Sequence, residues 1–164
     1  MARSGLQLHL LRHADAGDPG AWRGDDAARP LSDKGYAQAE RLALHLALVG
    51  FEPDAVLSSP KARARQTAEI VASALGQDVR LDDRLGGSLS LQGVEAILGE
   101  AGDVSRPVLV GHDPDFSELL STLTDAALEM KKGALARVDL PDGLRAGAGR
   151  LRWLLPPDLV PDEG

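Results

Sequence analysis

No cysteine occurs in this sequence, which excludes disulfides, Cys-ligated zinc and a thiol nucleophile. A fold that needs no such staple suits a cytoplasmic protein. Aromatic residues are scarce, at 3%, so the core has to be built from Leu, Ala and Val. Basic residues are outnumbered, 18 Lys and Arg against 25 Asp and Glu, for a net charge of −7. That balance argues against non-specific binding of nucleic acid and against an anionic membrane surface, while permitting a local positive pocket. No apolar run approaches the ~18–20 residues that span a bilayer. The opening MARSGLQLHLL lacks a small-residue cleavage site and reads as a first strand, not a signal peptide. The Gly-x-Ser-x-Gly elbow, His-Glu-x-x-His, the phosphate loop and Gly-x-Gly-x-x-Gly are also missing.

What is present is one domain's worth of alternating strands and helices over residues 1–164. LQLHLLRH (6–13) is an apolar first strand, covered on both faces. A long polar loop with Gly17, Pro19, Gly20 and Gly24 follows over about 14–31, a length that suggests a binding segment or lid. Ser32 is an N-cap for a helix over about 33–49, with Ala39, Leu42, Ala43, Leu46 and Val49 at helical spacing and Gly50 as its stop. DAVLSS (54–59) is a buried strand, and Ser59-Pro60 reads as a cap and first-turn proline for a helix ending at Gly76. VRL (79–81) is a brief strand, with a short helix around 91–99. PVLVGH (107–112) is the clearest central strand, and Asp113-Pro114 repeats the cap-then-proline signature before a helix to about 124. ALARVDLP (134–141) and GRLRWLLP (149–156) alternate as a closing hairpin. The tail from about 157 to 164 reads as loose. This order predicts an α/β chain, a three-layer α/β/α sandwich with a mainly parallel central sheet and an antiparallel edge.

Ligands of such sheets gather at the carboxyl ends of the strands. The first strand ends at Arg12-His13. Arg63 and Arg65 stand in the opening turn of the helix after the second. The PVLVG strand ends at His112, just before a helix N-terminus. Helix N-termini add free N–H donors to these residues, and together they form an anion cage whose arginines suit planar, bidentate phosphate. Read singly, each has a plainer role: a strand-end ion pair, a capped core histidine, a solvated helix face. Arg65 with Glu69 fits the last of these. His9 reads as a hydrogen-bonded core residue and His45 as helix surface. Gly35 and Gly133 serve turns or close packing, Trp22 could line a pocket mouth, and Trp153 packs on the sheet.

Four ordered segments make the pattern specific. LLRHADAG, RPLSDKGYAQAERLA, DAVLSSPKARARQTAEI and VLVGHDPDFSELL resemble the successive motifs of the histidine phosphatase superfamily, the phosphoglycerate-mutase-like fold. The Arg-His-Ala-Asp opening, the Arg-Pro-Leu-Ser segment and the short chain most resemble its bacterial phosphohistidine phosphatase branch, the SixA type. The resemblance covers about residues 6–125. It implies that His13 is the nucleophile, transiently phosphorylated, that Arg12 and Arg63 hold the phosphoryl oxygens, and that His112 is the second histidine donating to the phosphoryl group. Arg63 is preferred to Arg65 because it stands three residues after Pro60. No metal or other cofactor is implied.

The chemistry agrees. Histidine attacks as neutral imidazole, and a cage of arginines disfavours imidazolium. His112 is more useful as a charged donor, supported by Asp113 or another nearby carboxylate. Phosphoester-cleaving relatives also carry a Glu or Asp that protonates the leaving oxygen. Here the corresponding stretch reads LDDRLGGSLS, and neither Asp82 nor Asp83 aligns with that acid. Imidazole, with a pKa near ~6.5, leaves more readily than an alkoxide and needs the acid less. The leading reading is therefore a phosphatase acting on phosphohistidine carried by a protein, such as a phosphotransfer domain. The alternatives are a small-molecule phosphomonoesterase using Asp82 or Asp83, whose substrate would be a phosphorylated metabolite, and a non-catalytic phosphate-binding protein, which would not need a nucleophile. A mutase needs an enclosure for which the chain has little room.

Overall fold

The computed structural model describes residues 5–162; residues 1–4 and 163–164, the extremes of the expected domain and tail, lie outside them. Six strands form one mixed sheet: β1 (Leu6–Arg12), β2 (Ala55–Ser58), β3 (Val79–Leu81), β4 (Pro107–Gly111), β5 (Leu135–Leu140) and β6 (Arg150–Leu155). Four helices connect them: α1 (Asp33–Leu48), α2 (Ala62–Leu75), α3 (Leu91–Glu100) and α4 (Asp115–Thr124). The strand order is β3-β2-β4-β1-β5-β6. β1 to β4 are mutually parallel, and β5 and β6 add the antiparallel edge. This is the expected three-layer α/β/α architecture.

Alternation along β1 divides the core. Leu6, Leu8 and Leu10 pack with Leu85, Ile97, Phe116 and Leu120 on the α3/α4 side. Leu11 packs on the other face with Leu42 and Leu46 of α1 and Ala68 and Val71 of α2. Chain direction decides where a crevice can open. The connection leaving β1 runs into α1 on one face, while that leaving neighbouring β4 runs into α4 on the opposite face. The two chains therefore diverge at the carboxyl ends of adjacent strands, where open α/β sheets bind ligands. Arg12 pairs in register with Gly111, so His13 and His112 leave the sheet side by side.

Ser32 caps α1, its Oγ accepting from Gly35 N at 3.0 Å, and Gly76 ends α2 in the left-handed conformation. Two expected starts differ. α2 begins at Ala62, with Lys61 at the cap position and no side-chain cap; the Ser59 hydroxyl accepts from Lys61 N at 3.2 Å and also meets His112. α4 begins at Asp115, after Pro114, although the Asp113 carboxylate still accepts from Ser117 N at 3.0 Å. The loop of residues 13–31 folds into two 3-10 turns, Pro19–Ala21 and Asp26–Ala28, each opened by an Asp side chain. The segment from 157, read as loose from sequence, forms a 3-10 turn at Pro157–Leu159 and buries Val160 against the α1/α2 side of the core.

Candidate active site

The strand ends place four of the residues singled out from sequence around one point. His13 and His112 are both buried, with ring centroids 5.2 Å apart. Arg63 is buried at the start of α2, and Arg12 is half-buried at the tip of β1. Arg65 stays outside, paired with Glu69 at 3.1 Å on the solvent face. His9 points the other way into the sheet, with Nδ1 against Pro107 O at 3.1 Å.

The tautomer of His13 follows from its partner. Nδ1 lies 2.7 Å from Ala14 O, and a carbonyl can only accept, so Nδ1 carries the hydrogen. The lone pair is then on Nε2. Burial pushes the His13 pKa down to about 4, helped by the charges of Arg63, Arg12 and Lys132, so the ring is neutral at pH 7. Thr67 anchors this corner: its Oγ1 donates to Arg63 O at 2.8 Å and accepts from Ala14 N at 3.1 Å. One hydroxyl thus ties the His13 strand end to the Arg63 helix.

His112 differs from the sequence expectation. Asp113 gives it no support; that carboxylate serves Ser117 and stands 3.6 Å from Arg12. Burial, followed by the neighbouring His13 ring, Arg63 and Lys61, lowers the His112 pKa to about 3. The ring is neutral, not a charged donor. Its Nε2 is 2.8 Å from Ser59 Oγ, which itself accepts from Lys61 N at 3.2 Å. All three groups are satisfied when the Ser59 hydroxyl donates to Nε2, which puts the ring hydrogen on Nδ1, an atom without a partner among the described residues.

The arginines are held by backbone and by one acid that sequence reading passed over. Arg12 Nη1 donates to Met130 O at 2.8 Å. Arg63 donates from Nη1 to Asp26 O at 2.9 Å and from Nη2 to Asp26 Oδ2 at 3.0 Å. The other Asp26 oxygen accepts from Arg29 Nε at 3.1 Å, and Arg29 Nη1 reaches Ala16 O at 2.7 Å. Hydrogen bonds from Arg29, with the charge of Arg63, hold the Asp26 carboxyl below its ordinary range. The long loop therefore braces Arg63 from outside. Asp26 lay three residues before the Arg-Pro-Leu-Ser segment, but an Asp in a polar loop carries no signal by itself. The Nε atoms of Arg12 and Arg63 keep hydrogen-bonding capacity unspent.

The two carboxylates considered as a general acid differ in their surroundings. Asp82 is clamped by Arg84, with contacts of 2.9 and 2.6 Å, and those hydrogen bonds depress its pKa. Asp83 lines an open cavity with Ala27 and Lys61.

The sequence matches the family model of the histidine phosphatase superfamily (branch 1) over residues 8–87. It is 34% identical to an uncharacterized protein of Picosynechococcus sp., across 92% of this chain and the whole of that one. The chain belongs to the histidine phosphatase superfamily. Within the superfamily it sides with the SixA type. The structure of the protein histidine phosphatase SixA complexed with tungstate superposes with a TM-score of 0.79 at 26% identity, covering 93% of this chain and 98% of that one. GpmB of Escherichia fergusonii, named as a phosphoglycerate mutase, is 27% identical over 85% of this chain, which spans 66% of that longer protein. Membership supports a phosphatase, a hydrolase that works through a histidine nucleophile. Among the described residues no helix is long and apolar enough to cross a membrane.

Proposed function

We propose that this histidine phosphatase hydrolyses phosphohistidine carried by a protein, with His13 as the nucleophile. The observation that carries the assignment is the Nδ1–H of His13 bonded to Ala14 O, which leaves Nε2 as a neutral, buried base among cations. The Nε2 lone pair attacks phosphorus; the new P–N bond forms as the substrate's P–N bond breaks in line, and the departing imidazole takes a proton from solvent. Arg12 and Arg63 hold the equatorial oxygens, and neutral His112 donates from Nδ1. Water then attacks the phosphorylated His13, releasing orthophosphate and restoring the neutral ring. The dianion opposes the arginine charges while bound, so the histidine pKa values rise in the complex and proton transfer becomes accessible.

One feature supports a P–N over a P–O substrate. The general acid is worth ~10²–10⁴-fold to an alkoxide leaving group, and Asp82 is salt-bridged and ionised, so it cannot supply the proton. Imidazole departs without that help. The test is phosphate release from a phosphohistidine protein and from an aryl phosphomonoester at neutral pH, by wild type and His13→Ala. The expected result is a clear preference for phosphohistidine, abolished in the variant. A preference for the ester contradicts the substrate assignment and returns attention to Asp83.

A further inference from the structure

A groove of about 540 Å³ opens directly beside Arg12. Four further cations line it: Lys34 and Arg41 from α1, and Lys131 and Lys132 from the segment before β5. Three carboxylates, Asp15, Glu129 and Asp158, oppose these five positive side chains. The groove is thus net positive in a chain whose overall charge is −7. Part of that charge is already committed. Lys132 stands 3.6 Å from Asp15, which Ser32 also holds, and Arg12 serves Met130 O and Asp113. Lys34, Arg41 and Lys131 form no ion pair among the described residues.

The arrangement says what shape of anion fits. Lys34, Ala37, Gln38 and Arg41 line the groove from one face of α1, at the i, i+3, i+4, i+7 spacing of a helix stripe. At ~1.5 Å per residue the two cations stand about 10 Å apart along the axis. A single phosphate or carboxylate is far smaller than that span, whereas a row of acidic side chains on a polypeptide matches it. The groove is continuous with the reaction centre: Arg12 borders both, and Lys132 is close enough for its charge to act on the His13 ring.

We propose that this groove docks acidic side chains flanking the phosphohistidine of the protein substrate, an inference that rests on the reading of the reaction given above. Lys34, Arg41 and Lys131 supply affinity and register without touching the phosphoryl group. Exposed charges of this kind contribute modestly one by one and are screened by salt.

The experiment uses two phosphohistidine peptides, one with a run of glutamates beside the phosphohistidine and one with glutamines in the same places. Both are assayed with wild type and with Lys34→Glu/Arg41→Glu. Wild type should show a kcat/KM about tenfold higher for the glutamate peptide at low salt, carried mainly by KM, a difference of ~1.4 kcal/mol. The double variant, and wild type at ~1 M salt, should lose that preference while turning over the glutamine peptide as before. Equal use of both peptides by wild type, or a preference that survives in the variant, overturns the proposal. So does a result in which the groove residues instead favour an alkyl bisphosphate over a monophosphate, which would assign them to a second phosphate on a small molecule. Binding of the two unphosphorylated peptides, read by fluorescence anisotropy, separates the two claims. If neither phosphopeptide is hydrolysed, the reaction assignment falls alone. Tighter binding of the glutamate peptide, lost in the variant, then still upholds the groove, and indifference removes it.

Discussion

Small hydroxyl side chains tie the proposed reaction centre together beside its histidines and arginines. Thr67 Oγ1 holds Ala14 N, and Ala14 O fixes the proton of His13. Thr67→Val keeps the shape and deletes both hydrogen bonds, leaving a buried Ala14 N–H unpaired, which costs ~1–3 kcal/mol. The expected outcome is a loss of that size in urea unfolding, with kcat reduced roughly tenfold, equivalent to ~1.4 kcal/mol on the barrier. Unchanged kcat at reduced stability would mean that Thr67 supports the fold without positioning His13. The grouping of Arg12, His13, Arg63 and His112 was legible because four ordered motifs put them at neighbouring strand and helix ends, and the choice of Arg63 over Arg65 came from the family resemblance. Thr67, Ser59 and Asp26 were not legible. Ser59 was read as a helix cap, its commonest local role, and its bond to His112 exists only because β2 lies beside β4. The reading of His112 as a charged donor failed for a related reason, since burial and the adjacent His13 ring are properties of the assembled site.

At the scale of elements, the segment Arg29-Pro30-Leu31-Ser32 and Gly35 joins the long loop to α1. Ser32 N donates to Asp15 O at 3.0 Å, the Ser32 hydroxyl donates to the Asp15 carboxylate at 2.6 Å, and Gly35 lets the helix approach the same carbonyl. A Cβ on Gly35 would overlap Asp15 O, which is backbone and cannot swing aside. Gly35→Ala should therefore cost ~1–3 kcal/mol by overpacking. Gly99→Ala is the contrasting case. It lies in α3, with open space where the Cβ would go, so the change should add up to ~1 kcal/mol through helix propensity. Thermal unfolding of the two variants should move the Tm in opposite directions; a shared sign would contradict this account of the joint. Helices and strands were legible to within a few residues because each has a clear apolar period, with Gly50 and Gly76 marking the ends of α1 and α2. The two 3-10 turns of the loop have neither, and the brace from Asp26 to Arg63 spans 37 residues, beyond any local pattern.

For the molecule as a whole, burying three histidines makes stability depend on pH. His9, His13 and His112 have pKa values lowered to about 4, 4 and 3, each first by burial. The unfolded chain takes up protons at these rings near pH ~6.5, before the folded one does. Stability is therefore full above that pH and declines as the pH falls, by as much as ~1.4 kcal/mol per pH unit for each histidine. Between pH 6.5 and 5 most carboxylates remain ionised, so the histidines dominate this window. Urea unfolding across it should show a steady loss, and His9→Gln should reduce the slope by about one third. A flat profile would contradict the burial of these rings as neutral bases. The three-layer architecture was legible from the alternation of strands and helices. That the site would lie between β1 and β4 required the strand order, which the sequence does not print.

The central claim is that His13 Nε2 takes the phosphoryl group, and trapping the intermediate tests it most directly. Wild-type protein mixed with a phosphohistidine substrate and quenched in alkali should carry an acid-labile phosphate on His13, linked through Nε2, by mass spectrometry and phosphorus NMR. His13→Ala should carry none. Label on another residue, label linked through Nδ1, or turnover persisting in His13→Ala would contradict the account.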